Sequence, residues 1–72
     1  MPELPLATME RLIKKAGGVR VSKSAALELA SILEEYLMEL TKEAIKLTEH
    51  RGAKTLSESD VKMAASRFEF RP

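Results

Sequence analysis

The sequence predicts an all-α fold of short helix, long central helix and short helix, completed by a second copy of the same chain. Three observations predict it. Glycines punctuate the chain at Gly17-Gly18 and at Gly52, dividing it into three stretches of helical periodicity. The middle stretch runs from about Ser22 to His50 with neither Gly nor Pro inside it. And 72 residues without a single cysteine form one domain, 1–72, near the size at which a lone hydrophobic core is marginal and a partner or staple is needed.

The first helix is expected from about Met9 to Ala16, with Thr8 as its cap, Leu12, Ile13 and Ala16 as its apolar stripe, and Gly17-Gly18 as its end. Val19-Arg20-Val21 reads as a short extended link. Ser22 caps the long helix and Gly52 stands where a terminator belongs. Ala53 to Leu56 form a second link. Ser57-Glu58-Ser59-Asp60 matches a capping box, a hydroxyl residue followed three positions later by an acid, so a last helix is expected to about Arg67. Phe70 to Pro72 are expected to fray.

The long helix carries the strongest inference. About 28 residues at roughly 1.5 Å each span about 42 Å, whereas a compact globule of this length is only about 29 Å across. Its apolar positions, Ala26, Leu29, Ala30, Leu33, Leu37, Leu40, Ala44 and Leu47, recur every three or four residues. Ile32, Tyr36, Met38 and Ile45 widen that stripe beyond what two short helices of the same chain can cover. Two long helices crossing near Tyr36 to Leu40 would cover each other, with Leu29, Leu33, Tyr36, Leu37, Leu40 and Ala44 as the shared core. No folded monomer is expected at low concentration, because roughly half the core belongs to the partner.

Composition excludes several classes of function. A single histidine, no cysteine, no nucleophile paired with a base and no glycine-rich phosphate loop argue against an enzyme, a metal site or a cofactor, and leave no catalytic residue to name. No apolar run approaches membrane-spanning length, and Met1 to Ala7 lacks the blocks of a signal peptide, so a cytoplasmic protein is expected.

Charge is informative only by segment. Twelve Lys and Arg against eleven Asp and Glu leave a net charge of +1. From Thr8 to Val21, Arg11, Lys14, Lys15 and Arg20 face one acid, Glu10, whereas the long helix sets three lysines against Glu28, Glu34, Glu35, Glu39, Glu43 and Glu49. From Arg51 onward basic residues are again in excess. Paired long helices would set the first link of one chain beside the second link of the other, bringing Arg20 near Lys54-Thr55. Three basic sites along one convex edge suit successive minor grooves of bent duplex DNA, and backbone amides near Ser22 and Ser57 add phosphate donors. On charge counting alone, a solvated surface is the favoured reading.

Specific segments decide between these readings. Leu4-Pro5-Leu6-Ala7, Arg20-Val21-Ser22, Ile32-Leu33-Glu34-Glu35, Glu43-Ala44-Ile45-Lys46-Leu47, Lys54-Thr55-Leu56 and Arg67-Phe68 together resemble the corresponding stretches of archaeal histones over nearly the whole chain. The resemblance implies a histone fold, a handshake homodimer, and sequence-nonspecific binding, bending and compaction of duplex DNA on the chromosome, or nucleoid. It implies that Arg20 enters the minor groove, that Lys54 and Thr55 bind phosphate, and that Arg11 and Lys14, with Lys15 beside them, contact the backbone. An arginine suits a narrowed groove because its planar cation is weakly hydrated.

The resemblance also implies a joint between dimers at Leu47, His50 and Asp60, with His50 of one dimer bonding Asp60 of the next to build tetramers or filaments. On its own, His50 reads as a surface residue complementing the helix dipole. Ala53 departs from the family, which usually has an arginine there, paired with the equivalent of Asp60 to clamp the second link. That clamp is therefore expected to be missing, since Arg51 stands two residues earlier with Gly52 between. Lys15 and Val19 replace residues that are often acidic, whereas Ala26, Met38 and Glu49 stand where basic residues are common, so a modest DNA affinity with a shallow salt slope is expected. The competing expectation is an interaction module that pairs with other histones or caps their filaments while binding DNA poorly.

Overall fold

The computed structural model describes residues 3–18 and 20–69. They form α1 (Leu6–Ala16), α2 (Lys23–His50) and α3 (Glu58–Arg67), with no strand among the described residues. The expectations for Val19 and for Phe70 to Pro72 lie outside them. The chain divides into two compact units, Met1–Glu35 and Tyr36–Pro72, and α2 contributes to both.

α1 starts earlier than Thr8 suggests. Pro5 is the N-cap, with φ −63° and ψ 124° and no side-chain hydrogen bond, and its carbonyl accepts the Met9 amide at 3.1 Å. The pyrrolidine ring holds φ where a helix entry needs it and has no N–H to leave unsatisfied. Thr8 thus falls inside the first turn. Lys14 and Lys15 occupy the last turn, where cations oppose the negative end of the helix dipole.

α2 begins as expected: Ser22 Oγ accepts the Ala25 amide at 3.1 Å and the Ser22 carbonyl accepts that of Ala26 at 3.1 Å. It ends in a Schellman motif. The Gly52 amide donates to Glu49 at 2.9 Å, the Ala53 amide to Thr48 at 3.1 Å, and Gly52 holds φ at 75°, a left-handed value that costs a side-chain-bearing residue. Gly17 differs, closing α1 in an extended conformation with φ −167° that any residue adopts. We therefore expect Gly52→Ala to cost about 1–2 kcal/mol per chain and Gly17→Ala to leave stability unchanged or slightly higher. Denaturant unfolding of the two variants, side by side, checks this.

α3 opens with the expected capping box. Ser57 Oγ accepts the Asp60 amide at 3.3 Å, and Asp60 Oδ2 accepts the Ser57 amide at 3.1 Å.

Burial within each unit is thin. In the first, Met9, Ala26 and Ala30 are buried; of the α1 stripe, Ile13 is half-buried, whereas Leu12 is 50% exposed and Ala16 is exposed as well. In the second, Ala44, Thr48, Asp60 and Ala64 are buried, and the rings of Tyr36 and Phe68 lie 5.5 Å apart at 45°. The apolar core among the described residues is one methionine and four alanines.

At 100° per residue, Ala26, Ala30, Leu33, Leu37, Ala44 and Thr48 share one face of α2 within about 60° of arc. The ends of that stripe are buried, whereas in its middle Leu33 is 41% and Leu37 55% exposed. Leu29, Met38 and Ile45 are exposed on its flanks, and Tyr36 and Leu40 are half-buried.

Candidate nucleic-acid interface

Arg11, Lys14 and Lys15 sit at spacings of three and four along α1, which places them on one helix face. All three are exposed and line, with Ala7 and half-buried Glu10, a shallow depression. Lys14 also lines a second depression with Gly18, Arg20 and Val21. One lysine thus joins the helix face to the first link. Four cations and a single acid make a local surface that attracts polyanions, although the chain as a whole is nearly neutral. The Ser22 hydroxyl is occupied in capping α2.

In the second unit, Lys54 and Thr55 are exposed on the link between α2 and α3. Ile45, Thr48, Glu49, Ala53, Lys54 and Leu56 line the depression there. The link is fixed from beneath by a buried carboxylate. Asp60 Oδ2 accepts Thr48 Oγ1 at 2.7 Å and Arg51 Nη2 at 2.7 Å, while Oδ1 accepts Arg51 Nε at 3.0 Å. A hydroxyl has one proton, and although the Ala44 carbonyl lies 3.1 Å from Thr48 Oγ1, the charged acceptor is the stronger claimant. The fork of Arg51, together with Thr48 and the Ser57 amide and hydroxyl, holds the Asp60 carboxyl well below the usual carboxylate range against the opposing effect of burial. Asp60 in turn raises Arg51.

This overturns the expectation that the clamp is missing. Arg51 supplies it, because its reach is set by the helix and not by the link. The Arg51 amide still bonds the Leu47 carbonyl at 3.1 Å, so the residue continues the register of α2 and shares a face with Thr48, three positions before it. Counting back from Ala53 across Gly52 hid that relation. Thr48-x-x-Arg51 facing Ser57-x-x-Asp60 was the legible signal.

Of the residues expected at a joint between dimers, Leu47 is half-buried and His50 exposed, and Leu47 lines a groove with Ala64, Arg67 and Phe68. The Asp60 side chain is 4% exposed and bonds within its own chain. Among the described residues no cluster of His, Cys, Asp and Glu could hold a metal ion, and no helix is long and apolar enough to cross a membrane.

A family described as histone-like transcription factor (CBF/NF-Y) and archaeal histone matches residues 2–65. The chain belongs to this family. It is 50% identical over 64 residues to one of the subunits of the archaeal histone HAN1 of Thermococcus zilligii, across 89% of this chain and 96% of that one. It is 42% identical, with the same coverage, to probable archaeal histone 3 of Methanocaldococcus jannaschii. The three helices are those of the all-α histone fold. The histone match takes in Arg11, Lys14, Lys15, Arg20, Lys54, Thr55 and the whole Thr48, Arg51, Asp60 network, and it ends before Arg67 and Phe68.

Proposed function

We propose that this histone-fold chain is a homodimeric chromatin protein that binds duplex DNA without reading sequence, bends it and compacts it on the chromosome in the cytoplasm. The observation that carries the reading is the exposed basic face running from Arg11, Lys14 and Lys15 to Arg20, set against one acid. Side chains of this kind bind phosphate and groove potential and carry no base code. Thr55 donates its hydroxyl to a phosphate oxygen and Lys54 supplies charge beside it. The amides near Ser22 add donors at a helix start.

The uncovered middle of the α2 stripe supports pairing with a second copy. A handshake buries Leu29, Leu33, Tyr36, Leu37 and Leu40 of both chains, beside an Ala44 that each chain already buries by itself, and sets the Arg20 link of one beside the Lys54-Thr55 link of the other. The Thermococcus zilligii relative is itself one of the subunits of a histone. Leu47 and His50 belong to the surface through which dimers would join into tetramers or longer filaments on DNA, whereas Asp60, expected at the same joint, is buried and bonded within its own chain.

Gel shift of random duplex over a salt series tests the reading. Retardation without sequence preference that fades with salt is the expected result. Lys54→Ala removes one phosphate contact per chain, so the salt slope of the dimer drops by about two. Arg20→Ala weakens binding as well, and both variants keep the circular dichroism of the parent. An unfolded spectrum for either variant refutes the role assigned to it.

One observation favours the competing reading, an interaction module that pairs with other histones or caps their filaments. Arg51 is ion-paired with Asp60 at 2.7 Å, so of the two cations in the second link Lys54 alone has no ion pair among the described residues. Under that reading no shift occurs even at low salt.

A further inference from the structure

We propose that Glu34 is a positioning residue for DNA contact: by holding the amide of Glu3 it ties the segment before α1 to α2, and through that segment it sets how α1 presents Arg11, Lys14 and Lys15. The proposal rests on the DNA-binding reading above and concerns the first unit alone.

The tie is one bond across a long stretch of chain. The Glu3 amide donates to Glu34 Oε2 at 2.8 Å, joining residues 31 positions apart. Both belong to the unit Met1–Glu35, with Glu34 half-buried on α2 and Glu3 exposed. Among the described residues, those buried in this unit are Met9, Ala26 and Ala30. Apolar burial of that kind holds two helices together but has no preferred direction. A hydrogen bond has one.

What is fixed at Glu3 passes on stiffly. Leu4 precedes a proline, which confines it to extended backbone, and Pro5 is itself held at φ −63° as the N-cap of α1. The helix starts at the next residue, Leu6. A swing of about 10° at Leu6 would carry Lys15, about 13 Å further along the axis, sideways by about 2 Å. A displacement of that size takes a side chain out of hydrogen-bond reach of a phosphate oxygen.

Charge alone gives the opposite sign. Glu34 is an acid in the unit whose cations meet a polyanion, so removing its charge and nothing else strengthens binding at low salt. Removing the tie weakens it. Glutamine separates the two effects, because its amide oxygen accepts the Glu3 amide as the carboxylate does while carrying no charge.

The test measures binding of the full chain to random-sequence duplex by fluorescence anisotropy, with sedimentation to follow the dimer. Glu34→Ala is expected to weaken binding about tenfold per dimer, towards the low end for two hydrogen bonds lost, one on each chain. Glu34→Gln binds at parental strength or tighter. On the other side of the bond, Glu3→Pro removes the donor and weakens binding to the same degree, whereas Glu3→Ala keeps the donor and does not. Glu3→Pro adds nothing in Glu34→Ala, as expected of two groups acting through one contact.

Glu34→Ala that binds as tightly as Glu34→Gln would overturn the proposal, as would a loss accompanied by dissociation of the dimer. Backbone order parameters without DNA supply a second measurement: those of Leu4 and Leu6 fall in Glu34→Ala and hold in Glu34→Gln. Unchanged order in Glu34→Ala overturns the proposal even where Glu3→Pro disturbs the start of α1. A parent that shifts no DNA at low salt ends the DNA reading and this proposal together, whereas a parent that binds with no difference between alanine and glutamine at position 34 ends the proposal alone.

Discussion

Replacing Leu33 and Leu37 with glutamate is expected to abolish the dimer and, with it, nearly all helical signal. These two leucines occupy the middle of a stripe whose ends are buried alanines, and a single chain leaves them 41% and 55% exposed. Truncation of one buried leucine costs about 2–5 kcal/mol. Two-fold symmetry repeats each change, so Leu37→Ala alone raises the dissociation constant by roughly a thousandfold or more. Glutamate adds carboxylates facing one another at the crossing, where each is desolvated without a partner. Sedimentation equilibrium and circular dichroism over a concentration series read the outcome. A Leu33→Glu/Leu37→Glu chain that stays helical and dimeric at micromolar concentration would place the interface elsewhere on α2.

Acid unfolding is the second large effect. The Asp60 carboxyl ionises well below the ordinary carboxylate range in the folded chain, chiefly through the Arg51 hydrogen bonds and next through Thr48. A group whose pKa is depressed by folding contributes stability that is fully present above its unfolded value, near 4, and is lost as pH falls below it towards the folded value. Between those limits the unfolded chain binds about one more proton per molecule than the folded one, through this residue alone. The melting temperature of the parent should therefore fall with acidification below about pH 4, and Asp60→Asn should flatten that limb while lowering stability at neutral pH. Identical acid limbs for parent and variant would mean that Asp60 is not the group responsible. Arg51→Ala should flatten the limb in part, because Thr48 and the Ser57 amide still bind the carboxylate.

The three helices were legible because their signals are local. A run of 28 residues without Gly or Pro, a serine before it, a glycine after it and a Ser-x-x-Asp box each act within a few residues, and each holds in the structure. The start of α1 was not legible from cap chemistry, since Pro5 opens that helix by its fixed dihedral and offers no side-chain acceptor. Which apolar residues of α1 are covered was not legible for a different reason. Periodicity shows which positions are apolar but not which neighbour covers them, and within one chain Met9 is covered while Leu12 is not.

At the candidate interface, the spacing of Arg11, Lys14 and Lys15 already placed them on one face. The network beneath Lys54 and Thr55 was missed because Arg51 was measured along the link, when its amide and its side chain both belong to the helical register that also holds Thr48.

The alanine interior has a consequence for the life of the protein in the cell. Among the described residues, four methyl groups and one thioether give a newly made chain little reason to collapse by itself, so under the pairing proposed above its maturation is expected to be second order in its own abundance. At low expression the waiting time for a mate lengthens, and during that wait the polypeptide is open to degradation. Supply of the mature form should consequently rise faster than linearly with synthesis, a threshold that requires no regulator beyond the small side chains buried among the described residues.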